Sequence, residues 1–217
     1  MTAQRLLRFY RSRSVRMLLP IAALLCMCAA PVRAELFDSA LDRLPVAERV
    51  ALREGEATVS EADGIYTSRI LLEEASAAQV WDVLTDYEGS VNYAPNLVSS
   101  TVLERDGNRS IVEQVSERQV LFLTFRSRIR TENIASNNRR IDFRAIDGDF
   151  PTLDGYWEIE AIAPFAGAEP TAILIEQQVE AVPPDGVPID IFRDAFQSSL
   201  ADLMQALKGE IERRAAG

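Results

Sequence analysis

The sequence predicts an α+β fold in which one curved antiparallel β-sheet wraps around a long C-terminal helix. Two patterns lead to it. Val187 to Arg213 reads as a single amphipathic helix. Phe192, Phe196, Leu200, Leu203, Leu207 and Ile211 recur at steps of four or three and share one stripe, while Arg193, Asp194, Gln197, Asp202 and Lys208 point elsewhere. Pro188 suits the first turn, Asp190 complements the positive end of the helix dipole, and Lys208, Arg213 and Arg214 lie at the negative end. The second pattern lies upstream of Pro183 and Pro184, where short strand-like segments separated by turn residues supply the partner that this stripe needs.

The chain has 217 residues, of which 47% are apolar, enough to build the core of one domain of ordinary size with extensions. Residues 1–34 read as a secretory signal peptide. Arg5, Arg8, Arg11, Arg13 and Arg16 precede an apolar run from Met17 to Ala30, and Val32-Arg33-Ala34 follows as an A-x-A-like cleavage site. The run is interrupted by Pro20 and falls short of the roughly 20 apolar residues that a spanning helix needs. Cys26 and Cys28 lie inside it without the preceding small residue of a lipoprotein signal. Cleavage would remove six arginines and no acid, leaving 17 basic against 33 acidic residues from Glu35 onward, a net charge of −16. Such a surface repels nucleic-acid phosphates, so no nucleic-acid partner is expected. The mature chain would also contain no cysteine and no histidine, which excludes a disulfide framework, a thiolate nucleophile, imidazole acid–base chemistry and any Cys/His metal site. The expected location is the periplasm or an equivalent extracytoplasmic compartment.

Residues 35–55 have helical periodicity in two short pieces around Pro45 and read as a packing arm; a lid over a cavity is the functional alternative. Residues 56–217 form the main domain. Asp63-Gly64 separates Glu56–Ala62 from Ile65–Glu73 as a type I′ hairpin. Ser76-Ala77-Ala78-Gln79 is a capping box that opens a short helix carrying Val80, Trp81, Leu84 and Tyr87. Strands are then expected at Leu97–Glu104, Ser110–Glu117, Val120–Arg130, Arg139–Ile146, Leu153–Ile162 and Thr171–Val182, as a meander of hairpins.

Alternation assigns the faces. Arg126, Arg128 and Arg130 share one face, so Leu121, Leu123, Phe125, Ser127 and Ile129 should point inward. By the same rule Ile141, Phe143 and Ala145 point in, Trp157 and Ile159 turn in beside Gly155, and Ile173, Ile175, Gln177 and Val179 oppose Glu176, Gln178 and Glu180.

Several strings resemble the START-like (SRPBCC) superfamily, in its polyketide cyclase/dehydrase and lipid-transport branch, which includes coenzyme Q-binding proteins. They are Ala77-Ala78-Gln79-Val80-Trp81-Asp82-Val83-Leu84-Thr85-Asp86-Tyr87, Val112-Glu113-Gln114-Val115, Gly148-Asp149-Phe150 ahead of Gly155-Tyr156-Trp157, and the Pro-rich approach to the last helix. The resemblance covers about Glu56 to Ile211. It implies the helix-grip fold, with a hydrophobic tunnel between sheet and helix. It carries over no catalytic residue, because members of the branch range from aromatase/cyclases to carriers of lipids and quinones.

The tunnel is therefore the candidate site, and its expected ligand is a hydrophobic small molecule. Leu123, Phe125, Phe143, Trp157, Ile175, Phe192, Phe196 and Leu203 are expected on its wall, although any one of them could equally fill the core. Ser127, Gln177 and Ser199 are polar residues on inward faces and must find a partner. A helical serine such as Ser199 can bond the carbonyl four residues back. Gln177, with four hydrogen-bonding positions, is the foremost candidate to hold a ligand's polar end; Gln114 follows, on a strand that alternates poorly.

Arg126, Arg128, Arg130, Arg139, Arg140 and Arg144 form a basic concentration, read either as a solvated outer face paired with neighbouring acids or as a surface for transient contact with an anionic membrane. Asp147, Asp149 and Asp154 resemble ordinary turn carboxylates; no metal and no cofactor are expected. Two function classes have residues behind them, and a third, a protein-interaction module using the acidic surface, has no motif. One is an exported carrier that binds its ligand unchanged. The other is a cyclase or dehydratase that abstracts a proton beside a carbonyl with an acid–base pair drawn from Asp, Glu, Tyr and Arg. The missing histidine and the export signal favour the carrier, and Glu113 is the one carboxylate that the strand patterns bring near an inward face.

Overall fold

The computed structural model describes residues 39–120 and 123–217, without the side chains of residues 119–125. The expected signal peptide lies outside the described residues. In chain order the elements are α1 (Ala40–Arg43), α2 (Val46–Arg53), β1 (Thr58–Ala62), β2 (Ile65–Leu72), α3 (Ala77–Thr85), a 3-10 turn (Gly89–Asn92), β3 (Leu97–Asp106), β4 (Arg109–Val120), β5 (Leu123–Ser136), β6 (Arg140–Gly148), β7 (Thr152–Ile162), β8 (Ala172–Val182) and α4 (Ile189–Ala215). The strands form one antiparallel sheet in the order β1-β2-β8-β7-β6-β5-β4-β3. From β3 to β8 the chain is a meander, and the β1–β2 hairpin joins it through β8. Asp63 and Gly64 both have positive φ, 53° and 81°, as a type I′ turn requires. Asn137 and Asn138, each at 53°, turn β5 into β6 by the same chemistry.

The long helix grips as its stripe predicts. Phe192, Leu200, Met204, Leu207 and Ile211 are buried along α4. Met204, Leu207 and Ile211 meet Ile70, Leu72, Ile159, Ile173 and Ile175 of the sheet and Val80 and Val83 of α3. Burial of each such side chain contributes roughly 1.5–3 kcal/mol. Toward the other end of α4, Phe192 and Leu200 pack with Tyr66, Phe143, Val179 and Ala181. Ser76 caps α3 with the reciprocal bonds of a capping box to Gln79.

Several boundaries differ from expectation: Val120, expected to open a strand, ends β4 instead, and two others are instructive. Pro188 is the N-cap of α4 and not a residue of its first turn. β5 runs on past Arg130 to Ser136, because its backbone keeps pairing with β4 and β6 even where Thr131 and Asn133 interrupt the apolar alternation.

The outward face of the sheet carries the N-terminal arm and the arginines. Leu41 of α1 and Leu52 of α2 pack on Leu71, Ile162 and Leu174, which alternate with the inward residues of β2, β7 and β8. The arm is thus a packing element on the face opposite the helix, and its placement is not that of a lid. Arg69 fastens it, at 2.7 Å from both Glu48 and Glu176. Farther across this face, Glu113 bridges Arg128 and Arg130 at 3.1 and 2.8 Å, Arg126 meets Glu117, and Arg140 meets Asp142 and Glu158. Apart from the exposed Arg139, the basic concentration is an ion-paired lattice. Glu113 belongs to it, and its two arginine bonds hold its carboxyl below the ordinary range.

Candidate functional site

Two adjoining chambers lie between the sheet and α4. The inner one, about 180 Å³, is bounded by Leu84, Tyr87, Ser90, Tyr93, Val112, Ile129, Thr131, Asn133, Trp157 and Leu207. The outer one, about 380 Å³, is bounded by Pro95, Asn96, Leu97, Ser116, Arg118, Ser127, Phe150, Val179, Phe196, Ser199 and Leu200. Ala94, Gln114, Phe143, Leu153, Gln177 and Leu203 border both and form the junction.

Strand alternation builds the two walls differently. Val112, Gln114, Ser116 and Arg118 follow one another at period two on β4, opposite Ser127, Ile129 and Thr131 of β5, with Asn133 next in line. This wall is largely polar. The wall formed by α4 and by β6 to β8 is largely apolar, with Phe143, Leu153, Trp157, Val179, Phe196, Leu200, Leu203 and Leu207. Gln177 is the one amide on that side among the described residues. Gly155 admits the Phe143 ring beside the apolar wall: a Cβ there would lie 3.0 Å from Phe143 Cζ and only 1.9 Å from the Gln178 carbonyl oxygen.

The polar groups are incompletely engaged. The Ser68 hydroxyl, itself fully buried, donates to Gln177 Oε1 at 3.4 Å, and the Gln177 Nε2 bonds no described residue. Asn133 Nδ2 donates to Thr131 Oγ1 at 2.9 Å, and Gln114 Nε2 to Ser100 Oγ at 3.4 Å. The Ser199 hydroxyl donates to the Ala195 carbonyl at 2.8 Å, the local bond open to a helical serine. Arg118 Nη1 donates to Ser199 Oγ at 3.0 Å and to the same carbonyl at 3.3 Å.

Among the described residues the ionisable side chains on the walls are Tyr87, Tyr93 and Arg118. Burial raises both phenols, that of Tyr93 to about 12, so each keeps its proton at neutral pH. A guanidinium offers donors and no acceptor. No described carboxylate borders either chamber.

The expected site residues divide accordingly. Gln177, Gln114, Phe143 and Leu203 stand at the junction, Trp157 borders the inner chamber, and Ser127, Ser199 and Phe196 border the outer. Ile175 and Phe192 do not lie on the wall. Ile175 is fully buried where α3 and the second half of α4 close over the sheet, which leaves no gap beside it. Phe192 stacks on Phe196 at 5.1 Å, meets Tyr66 edge-on at 6.4 Å, and is buried among these rings. The side chains of Leu123 and Phe125 lie outside those described. Sequence reasoning passed over Arg118, Thr131, Asn133 and Tyr93. The signal for the first three was present as polar residues repeating at period two along β4 and β5. Asp147, Asp149 and Asp154 form no shared centre: Asp147 pairs with Arg128, Asp149 accepts the Arg128 amide, and Asp154 accepts the Ala145 amide.

A family model described as polyketide cyclase / dehydrase and lipid transport matches residues 74–208, more than half of the chain and every residue that lines the two chambers. The chain belongs to that family. Its fold is the START-like helix grip, as solved structures of low sequence identity also indicate. A START superfamily protein from Mycobacterium smegmatis superposes with a TM-score of 0.57 at 17% identity, over 69% of this chain and 98% of that one. A STAR-related lipid transfer protein from Xanthomonas axonopodis gives 0.58 at 15% identity, over 73% and 94%. The di-domain ARO/CYC StfQ from the steffimycin biosynthetic pathway gives 0.53 at 12% identity, over 79% of this chain and 56% of that larger one. No curated protein matches the sequence.

Proposed function

We propose that this member of the polyketide cyclase/dehydrase and lipid-transport family is an exported carrier. It would hold a hydrophobic small molecule (a lipid, quinone, isoprenoid or aromatic compound) between sheet and helix and release it unchanged. The observation that carries the reading is the chemistry of the walls. Apolar side chains bound one side, and the described lining residues include no carboxylate, imidazole or thiol. A cyclase or dehydratase needs a group that takes a proton beside a carbonyl, with a pKa near the working pH. Glu113, the carboxylate that the sequence brought nearest to the interior, sits instead between Arg128 and Arg130 on the outward face. Gln177 at the junction would hold a polar group of the ligand through the amide end that Ser68 leaves free.

Export rests on the basic, apolar and small-residue order of residues 1–34. The carrier reading is tested by titrating delipidated protein with quinones, fatty acids and isoprenoids and recovering the ligand afterwards. Tight binding with the ligand recovered intact supports it. A product formed over repeated turnovers would replace it with the enzyme reading.

A further inference from the structure

We propose that the ligand is an acidic amphiphile whose anionic head group, a carboxylate or a phosphate, docks on Arg118 in the outer chamber while its apolar tail reaches the inner one. This rests on the carrier reading and specifies the ligand class for the same cavity. The first observation is a contrast among arginines. Arg126, Arg128, Arg130, Arg140 and Arg144 on the outward face each meet a carboxylate, and Arg139, which meets none among the described residues, is exposed to water. Arg118 is on the same sheet but faces inward, half-buried, and meets no carboxylate among the described residues. Its Nη1 bonds two neutral oxygens of α4, and its Nε and Nη2 bond no described residue.

A cation held in a partly desolvated position without a counter-ion is costly, and an anionic ligand relieves that cost. The guanidinium edge suits this task because two parallel N–H donors match the paired oxygens of a carboxylate or phosphate.

The second observation is the surrounding polarity. Ser116 and Ser127 are register partners on β4 and β5, and with Asn96 and Ser199 they border the same chamber as Arg118. Ser116, Ser127 and Asn96 place hydroxyl and amide donors around the position an anion would take, while the Ser199 hydrogen is already given to the Ala195 carbonyl. Past the junction formed by Phe143, Leu153 and Leu203, the described inner wall offers no charged side chain, which suits a tail. Gln177 then meets a polar group along the ligand and not its charged end.

The test is isothermal titration calorimetry of delipidated protein at neutral pH with three probes of equal chain length: dodecanoate, dodecyl phosphate and dodecanol. Wild type should bind one or both anions about 10- to 100-fold tighter than the alcohol, the gain expected of a charge-assisted bond. Whichever anion is preferred identifies a carboxylate or a phosphate as the natural head group. Arg118→Gln should erase the preference for the anion over dodecanol, and Arg118→Lys should retain part of it. The wild-type comparison needs no variant, so a misfolded Arg118→Gln would not obscure the answer. Equal affinity for anion and alcohol, or a preference that survives Arg118→Gln, would overturn the head-group assignment and leave the hydrophobic carrier standing. Binding of none of the three would overturn both.

Discussion

Trp157 and Gln177 are register partners on β7 and β8, and both border the inner chamber. An indole and an amide therefore stand side by side on a stretch of sheet that faces the chamber. Across β2–β8 the same glutamine pairs in register with Ser68, whose buried hydroxyl it accepts.

This arrangement shapes the first prediction. Gln177→Leu should weaken a ligand carrying a carbonyl or hydroxyl by about 1–3 kcal/mol, because a buried polar group of the ligand would be left unpaired. It also removes the Ser68 partner, so the clean comparison pairs it with Ser68→Ala. Calorimetric titration of wild type, Ser68→Ala and Ser68→Ala/Gln177→Leu isolates the ligand effect; equal affinity in all three would remove Gln177 from the site.

Phe196 and Met204 should respond differently to truncation. Met204 is fully buried against sheet and α3, so Met204→Ala should cost roughly 2–5 kcal/mol. Phe196 is half-buried, packs on Tyr66 at 4.8 Å, and borders the outer chamber. Its replacement by alanine should cost less than the roughly 3–5 kcal/mol of a fully packed phenylalanine and should change ligand affinity. Chemical denaturation of the two variants checks the order, and a larger loss for Phe196→Ala would show that its ring is core and not wall.

Gly155→Ala should destabilise the fold, because its Cβ would fall 1.9 Å from the Gln178 carbonyl oxygen and push on the Phe143 ring. Neither strand can move without breaking the β7–β8 ladder, and overpacking of this kind costs about 1–3 kcal/mol or more. An unchanged denaturation midpoint would contradict the close packing of these strands.

At the far end of α4, hydrogen bonds from Arg213 and Arg214 to the buried Glu210 hold its carboxyl down at about 2, below its ordinary 4.5. Arg214 also reaches Asp86 at 2.8 Å and so ties α3 to the helix. A carboxyl depressed in the folded state contributes stability that is fully present above pH 4.5 and is lost as pH falls toward 2. Thermal melts across that window should lose less for Glu210→Gln than for wild type. Parallel curves would mean that the pairing does not govern acid stability.

The helix stripe, the capping box, the Asp63-Gly64 hairpin and the inward row through Gln177 were all legible, because each is a local pattern whose period matches its element. Arg118, Thr131 and Asn133 were not. A polar run at period two looks like a solvated face until the register of β4 and β5 shows that it lines a cavity. Leu203 and Met204 show the same limit. The sheet curves far enough around α4 for neighbouring helical positions both to be covered, one by the chamber and one by the core. Ile175 and Gln177 share a face of β8, yet only long-range packing decides that the first is closed over and the second is not.

Export has its own check. N-terminal sequencing of the protein recovered from the cell envelope or medium should return Glu35, and Met1 would contradict it.

Native mass spectrometry of the protein purified from its own host tests the central claim most directly. A retained hydrophobic molecule, released intact on denaturation and rebound unchanged by the delipidated protein, is the predicted result. A molecule that the protein converts over repeated turnovers would contradict the carrier account.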